Sequence, residues 1–396
     1  MTKAEYTLVI IRFGEIGIKS TQTRRRMTNL LIGHIESALR QNEIHFDKVY
    51  SVYGRIYIIT RDAIRAAEVA ATVFGVVSTS PVVETAAEMD KILATGEKLA
   101  RAEFKKGLSF AVDARRIGEH PFSSQDVRKN LGERILEGIP ELELTVNLTD
   151  PEQSIYVEVR QDNAHIFTQT IRGVGGMPTG SQGKVVCTIS TGLDSPIAAY
   201  KVMKRGCIPV FLHLDNTPYA DEQCSEIAMK QAQLLADYIH GFEVKMYIVP
   251  HAPDIEEAQK HAPKKMTCLF CKRNMLRIAR EIAIQEKADA IVTGEIIGEQ
   301  ASQTTANLRV IEQAVTDFPI LRPNAGDDKV EIERVARQLG TYKFANEGAS
   351  CCTLNPKYPS VQADPEKVAS CEELMDLGIL KEELKNARVL VLREAK

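Results

Sequence analysis

From residue 184 onward, short apolar runs alternate with helical patterns, and this alternation restricts the fold more than any other feature of the chain. VVCTIS (185–190), CIPVFLHLD (207–215) and VKMYIVP (244–250) are rich in β-branched residues, and a helical pattern near 269–286 precedes the run ADAIVTGE (288–295). Strands separated by helices need crossover connections, which give a parallel, doubly wound α/β sheet. Ligands of such sheets lie at the carboxyl ends of the strands. Three polar stretches fall there: STGLDS, HLDNTPYADEQ and TGEIIGEQASQT. Their convergence points to one shared site.

The first half of the chain is organised differently. YTLVIIRF (6–13) predicts a strand, Thr21 or Thr23 starts a helix running from Arg24 to about Leu39, and a second strand covers about 48–60. Helices are expected near 63–73, 87–106 and 124–138, and strands at 108–114, 142–148, 154–160 and 165–172. GVGGMPTGSQG (173–183) holds five of the 24 glycines and opens no helix, so it reads as a linker rather than a dinucleotide fingerprint. The expected domains are therefore 1–60, 61–172 and 184–396, with 173–183 between the last two.

At 396 residues, 44% hydrophobic and 26% charged, the composition is that of an ordinary soluble enzyme. No apolar run approaches the roughly 20 residues of a membrane span, and the amino terminus lacks a signal-peptide pattern, so a cytoplasmic protein is expected. A net charge of −3 gives no overall electrostatic case for nucleic acid. Arg12, Lys19, Arg24, Arg25 and Arg26 do form a basic cluster with only Glu15 among them, although the first 180 residues balance 23 basic against 23 acidic side chains. Such a cluster, taken alone, also reads as a solvated helix face.

In STGLDS, Ser190 and Thr191 offer hydroxyls, Gly192 permits close backbone approach, and Ser195 falls where a helix begins, so its amides favour an anion. GxxxxGK[ST] is absent, which removes the Walker A reading. Ser-x-Gly-x-Asp-Ser after a buried strand is instead the pattern of the PP-loop, a pyrophosphate cradle. Asp194 would hold Mg2+ or orient the triphosphate, because a carboxylate facing phosphates needs a cation between them. In isolation, the same six residues also read as an N-capped turn.

RFGEIGIKSTQTRRR, VFGVVSTSPV (73–82), STGLDSP, TGEIIGEQASQTTANL (293–308) and PILRP (319–323) occur in this order. Together they resemble the tRNA 4-thiouridine synthetases, or tRNA sulfurtransferases, from about residue 8 to about 360. The resemblance implies a ferredoxin-like domain, a THUMP domain for tRNA and a PP-loop ATPase domain. It also implies adenylation of a uridine O4 in tRNA followed by replacement of that oxygen with sulfur. By similarity, Ser190, Gly192, Asp194 and Ser195 contact phosphates, while Cys187, Thr188, His213, Leu214, Lys272, Gly294 and Gln303 line the nucleotide. Lys19, Arg24, Arg25 and Arg26, with Arg115, Arg116 and Lys129, would meet tRNA phosphates. A lone strand-end histidine such as His213 is also an ordinary structural residue. Thr191 departs from the usual glycine, a cost if that position needs a positive φ. The chain ends at Lys396, so the carboxy-terminal rhodanese domain of longer relatives is not expected. The family also implies a sulfur donor (a cysteine desulfurase or sulfide), a homodimer and, for some relatives, a sulfur supply for thiamine thiazole.

Sulfur delivery then falls to the cysteines of this chain. Cys268–Leu269–Phe270–Cys271 opens a helix, where the dipole is expected to depress thiol pKa values. The adjacent pair Cys351 and Cys352 lies near the family's carboxy-terminal cysteine, with Cys351 the better match and Cys352 the alternative. Three readings stand open: Cys268, Cys271 and one cysteine of the pair ligate an iron–sulfur cluster with an open iron; the same thiols act as persulfide carrier and resolving thiol; or they form a zinc knot or inert core. Two other functions compete with the leading one. Another AMP-forming ligase would need an ammonia source that no segment supplies, and a non-catalytic THUMP-type RNA-binding protein would have no use for an intact Ser190–Ser195 loop.

Overall fold

The structure is a computed structural model that describes residues 5–345 and 352–395. It divides into two compact units, residues 1–176 and 177–396, within the glycine-rich stretch.

The first unit contains β1 (Leu8–Phe13), α1 (Thr21–Gln41), β2 (Lys48–Val52), β3 (Arg55–Ile59), α2 (Ala63–Ala71), β4 (Val76–Ala86) and α3 (Met89–Glu103). There follow β5 (Ser109–Arg116), α4 (Ser124–Gly138), β6 (Thr145–Val146), β7 (Gln153–Val159), β8 (Asn163–Phe167) and β9 (Ile171–Arg172). They form one sheet in the order β2-β3-β1-β4-β8-β7-β5-β6, with β9 also on β4. The eleven-residue β4 makes it continuous: Val76–Val82 pairs with β1, and Val83–Ala86 with β8. The single strand expected over 48–60 is instead a hairpin. Tyr53 and Gly54, with φ of 50° and 74°, make a two-residue turn with positive φ at both central positions. The strand expected over 165–172 is likewise two, β8 and β9.

The second unit contains β10 (Lys184–Thr188), α5 (Asp194–Lys204), β11 (Ile208–Asp215), α6 (Gln223–Ala236), β12 (Val244–Pro250), α7 (Ala252–His261) and α8 (Thr267–Glu286). It continues with β13 (Ala290–Val292), α9 (Thr305–Glu312), β14 (Ile320–Leu321), α10 (Lys329–Leu339), α11 (Tyr342–Ala345), α12 (Pro365–Glu372), α13 (Ile379–Lys385) and β15 (Arg388–Arg393). Strand order is β14-β13-β10-β11-β12-β15. All neighbours are parallel except β12 and β15, an antiparallel edge that sequence periodicity did not announce. Succession runs outward from β10 in both directions, to β11 and β12 on one side and β13 and β14 on the other. The β10/β13 boundary is therefore the topological switch point, where a crevice opens at the carboxyl ends of the strands. Beneath it, Val186, Leu212, Val249 and Ile291 of the sheet pack with Phe270, Leu276 and Ile282 of α8. Among the described residues, no helix is long and apolar enough to cross a membrane.

Candidate active site

Leaving β10, residues 189–193 turn directly into α5. The Ser190 N–H donates to Ser195 Oγ at 2.8 Å, the two hydroxyls stand 2.9 Å apart, and the Gly192 N–H donates to Ser190 Oγ at 3.2 Å. The loop is folded around the first turn of α5, where free amides and the helix dipole attract an anion. Thr191 is absent from the residues with positive φ, so its replacement of the family's glycine carries no backbone strain. A real steric demand falls on Gly294 beyond β13. A Cβ there would lie 2.6 Å from both the backbone nitrogen and Cα of Ser195, so only glycine lets the two strand ends close this tightly.

A cavity of about 360 Å3 covers these strand ends. Thr188, Ser190, Asp194 and Ser195 line it, as do His213, Leu214, Lys272, Gly294 and Gln303 from neighbouring elements. Two expected residues do not line it. Cys187 is fully buried in the sheet, because successive residues of β10 face opposite sides and Thr188 takes the open one. Gly192 contributes to the loop backbone without forming the cavity wall. His213 Nδ1 lies 2.9 Å from the Ile189 carbonyl, which only accepts, so that nitrogen carries the proton. Burial pushes the His213 pKa below its usual value, and the ring is neutral.

The charged groups of the site come from elements that local sequence did not connect. Lys329, at the start of α10, places Nζ 2.7 Å from both Asp194 Oδ1 and Glu299 Oε1. Burial raises the Asp194 pKa; Glu299 adds to the rise and Lys329 opposes it. Asn324 fixes the first turn of α5 by donating to the Asp194 carbonyl at 2.7 Å. Lys272 Nζ donates to Glu295 Oε1 at 3.1 Å, and Arg322 Nε and the Thr293 hydroxyl reach Oε2 at 2.8 and 3.0 Å. Burial opposes ionisation of Glu295, but Lys272 and Arg322 hold its pKa below the usual value. Asp194, Thr293, Glu295, Glu299 and Arg322 sat in quoted motifs and Lys272 among the expected nucleotide contacts, whereas Asn324 and Lys329 were not singled out.

Cys268, Cys271 and Cys352 line a second cavity, of about 150 Å3. It shares Lys272, Met275, Gln300, Cys352 and Asn355 with the first, so the two adjoin. Cys351, the expected third thiol, lies outside the described residues. The expectation of a depressed thiol fails at Cys268. Burial first, then the neighbouring Cys271 and Cys352, push its pKa up to about 11, and Lys272 does not compensate. Among the described residues, no three His, Cys, Asp or Glu side chains converge on a single metal ion. Behind the cavity, the fully buried His251 contacts Cys271, Asp254 and Glu383. Sequence inspection singled out none of these three partners as a group, because they lie on different elements.

In the first unit, Lys19, Arg24, Arg25, Arg26, Arg115, Arg116 and Lys129 are all exposed. Arg24 and Arg25, with Thr21 and Arg55, border a cavity of about 660 Å3 at the first turn of α1. Arg115 and Arg116 end β5, and Lys129 lies on α4.

Three family models match the chain. Residues 8–80 match the ThiI ferredoxin-like domain, 86–169 the THUMP domain, and 180–377 the family described as thiamine biosynthesis protein (ThiI). A probable tRNA sulfurtransferase of Methanosarcina acetivorans is 38% identical over 388 residues, covering 97% of this chain and 94% of that one. A probable tRNA sulfurtransferase of Methanobrevibacter smithii is 39% identical over 370 residues, covering 92% and 94%. Among solved structures, a 4-thiouridine synthetase–RNA complex with bound ATP superposes with a TM-score of 0.86 at 29% identity, covering 98% of this chain and all of that one.

Proposed function

The chain belongs to the ThiI family and is a tRNA sulfurtransferase, and from that premise we propose that its two adjoining cavities carry out the two halves of 4-thiouridine formation. The larger binds ATP. Ser190, Ser195 and the amides of α5 take the phosphates that leave as pyrophosphate, which accounts for a phosphate loop without the Walker lysine. Asp194 and Glu299 fit Mg2+, since a single cationic group already stands between them as Lys329 Nζ. With the metal in place, Lys329 is free to pair with a phosphate oxygen. The uridine O4 bonds to the α-phosphorus as the bond to the β-phosphate breaks. Sulfide sulfur then attacks C4, the C4–O4 bond breaks, and AMP departs with the former O4 oxygen. With hydrosulfide as donor, this exchange needs no external electrons.

The observation that carries the reading is the sharing of Lys272 and Cys352 between the nucleotide and thiol cavities, which brings the sulfur chemistry beside the activated base. Cys268, Cys271 and Cys352, three thiols around one cavity, are the residues that would hold an iron–sulfur cluster. Such a cluster, when bound, supplies an open iron position for hydrosulfide.

The test is anaerobic incubation with tRNA, ATP, Mg2+ and sulfide, followed by nucleoside analysis. Wild type should form ATP-dependent 4-thiouridine. Asp194→Ala should lose pyrophosphate release by about 100-fold or more while retaining tRNA binding. Cys352→Ser should still release pyrophosphate but form no thiouridine. An active wild type that is colourless and iron-free removes the cluster, and absence of ATP-dependent thiouridine removes the whole reading.

A further inference from the structure

His251 stands where β12 passes into α7, with 0% of its surface exposed. Cys271 Sγ of α8 and Asp254 Oδ2 of α7 each lie 3.5 Å from Nε2, and Glu383 Oε2 of α13 lies 3.5 Å from Nδ1. Glu383 is fixed in turn by the Asp254 N–H, which donates to Oε1 at 2.9 Å, and Asn274 donates to Asp254 Oδ1. Burying two carboxylates with an imidazole is costly, so a core histidine with no further duty is better served by one neutral acceptor. Here Glu383 stands on the Nδ1 side of the ring, and Asp254 and the Cys271 sulfur stand on the Nε2 side.

The two thiols of the CLFC stretch are therefore unequal. Cys268 donates its S–H to Asn355 Oδ1 at 3.2 Å, an arrangement that favours the protonated thiol. Cys271 Sγ instead faces the Nε2 side of the buried His251 ring at 3.5 Å.

We propose that His251 is a positioning residue for sulfur transfer: the Nε2 side of its ring holds Cys271 Sγ in orientation at the thiol cavity, and Glu383 holds the far side of the ring. The proposal rests on the reading that this cavity delivers the sulfur.

Three readouts test it on the full chain: ATP-dependent pyrophosphate release with tRNA, 4-thiouridine formation, and alkylation of each cysteine by iodoacetamide in iron-free protein, located by peptide mapping. His251→Leu should keep pyrophosphate release within about twofold, lose thiouridine formation by about tenfold or more, and slow Cys271 alkylation several-fold while leaving Cys268 unchanged. His251→Gln, whose amide can donate to sulfur, should recover much of both losses. Glu383→Gln should shift the same readouts in the same direction by less, and serves if the leucine variant does not fold. Unchanged thiouridine formation in His251→Leu, or Cys271 alkylation that is unchanged or faster, overturns the proposal, since a merely space-filling ring would loosen the cavity when removed. Cys271→Ser separates the two readings. If it thiolates tRNA like wild type, sulfur delivery through this cavity fails, while the alkylation rates still decide whether His251 holds the sulfur.

Discussion

Asp194 and Lys329 are 135 residues apart in sequence yet share an ion pair at the mouth of the nucleotide cavity. Asp194 stands out in a motif, whereas Lys329 follows Asp327 and Asp328 and reads as one more surface charge. Lys329→Ala should lower the rate of pyrophosphate release by about 100-fold, the scale of removing one positive group from a phosphoryl-transfer site. Equilibrium ATP binding measured beside that rate distinguishes a role in the reaction from a simple loss of affinity; a rate within about threefold of wild type would mean that Lys329 only balances the acids. Glycine content likewise needs tertiary context for its meaning. Gly192 looks like the functional glycine from its loop, but Gly294 is the one whose Cβ has no room.

Helix α8 carries both Cys268 and Cys271, and its middle is clamped to α12. Arg273 Nη2 lies 2.6 Å from Glu372 Oε2, Arg273 Nε 2.9 Å from Oε1, and Arg277 Nη1 2.7 Å from Oε1. Burial opposes ionisation of Glu372, but the two guanidinium groups outweigh it and hold the pKa at about 2, down from 4.5. Because the folded value is the lower one, the stabilising contribution is complete above pH 4.5 and fades as pH falls from 4.5 towards 2. Hydrogen exchange read across that window should show α12 losing protection as the pH falls. Glu372→Gln should remove this pH dependence and lower protection at neutral pH. An identical acid profile in wild type and variant would assign the transition to other carboxylates. The helix itself was legible in its apolar spacing, yet nothing local to α8 tells that a glutamate 99 residues on, counted from Arg273, completes its packing.

Across the whole molecule, the chain divides into two compact units. The net charge of −3 offers no general attraction for RNA, and we propose that local clusters such as the exposed Lys19 and Arg24–Arg26 supply it. Arg24→Glu combined with Arg25→Glu should weaken tRNA binding and flatten its salt dependence, with ATP binding unchanged; an unaltered salt slope would place the phosphate contacts elsewhere. By itself, the sequence determined the strand–helix alternation of the second unit, the loop at the end of β10 and the family. Those are local patterns, dictated by side-chain period, turn chemistry and residue type. Only the tertiary structure decided that β4 spans both halves of the first sheet and that β15 closes the second sheet antiparallel. It likewise decided that Lys329 meets Asp194, that Cys352 stands between two cavities, and that His251 backs Cys271. Each of these is a contact between distant segments, and packing, which no single segment contains, sets it.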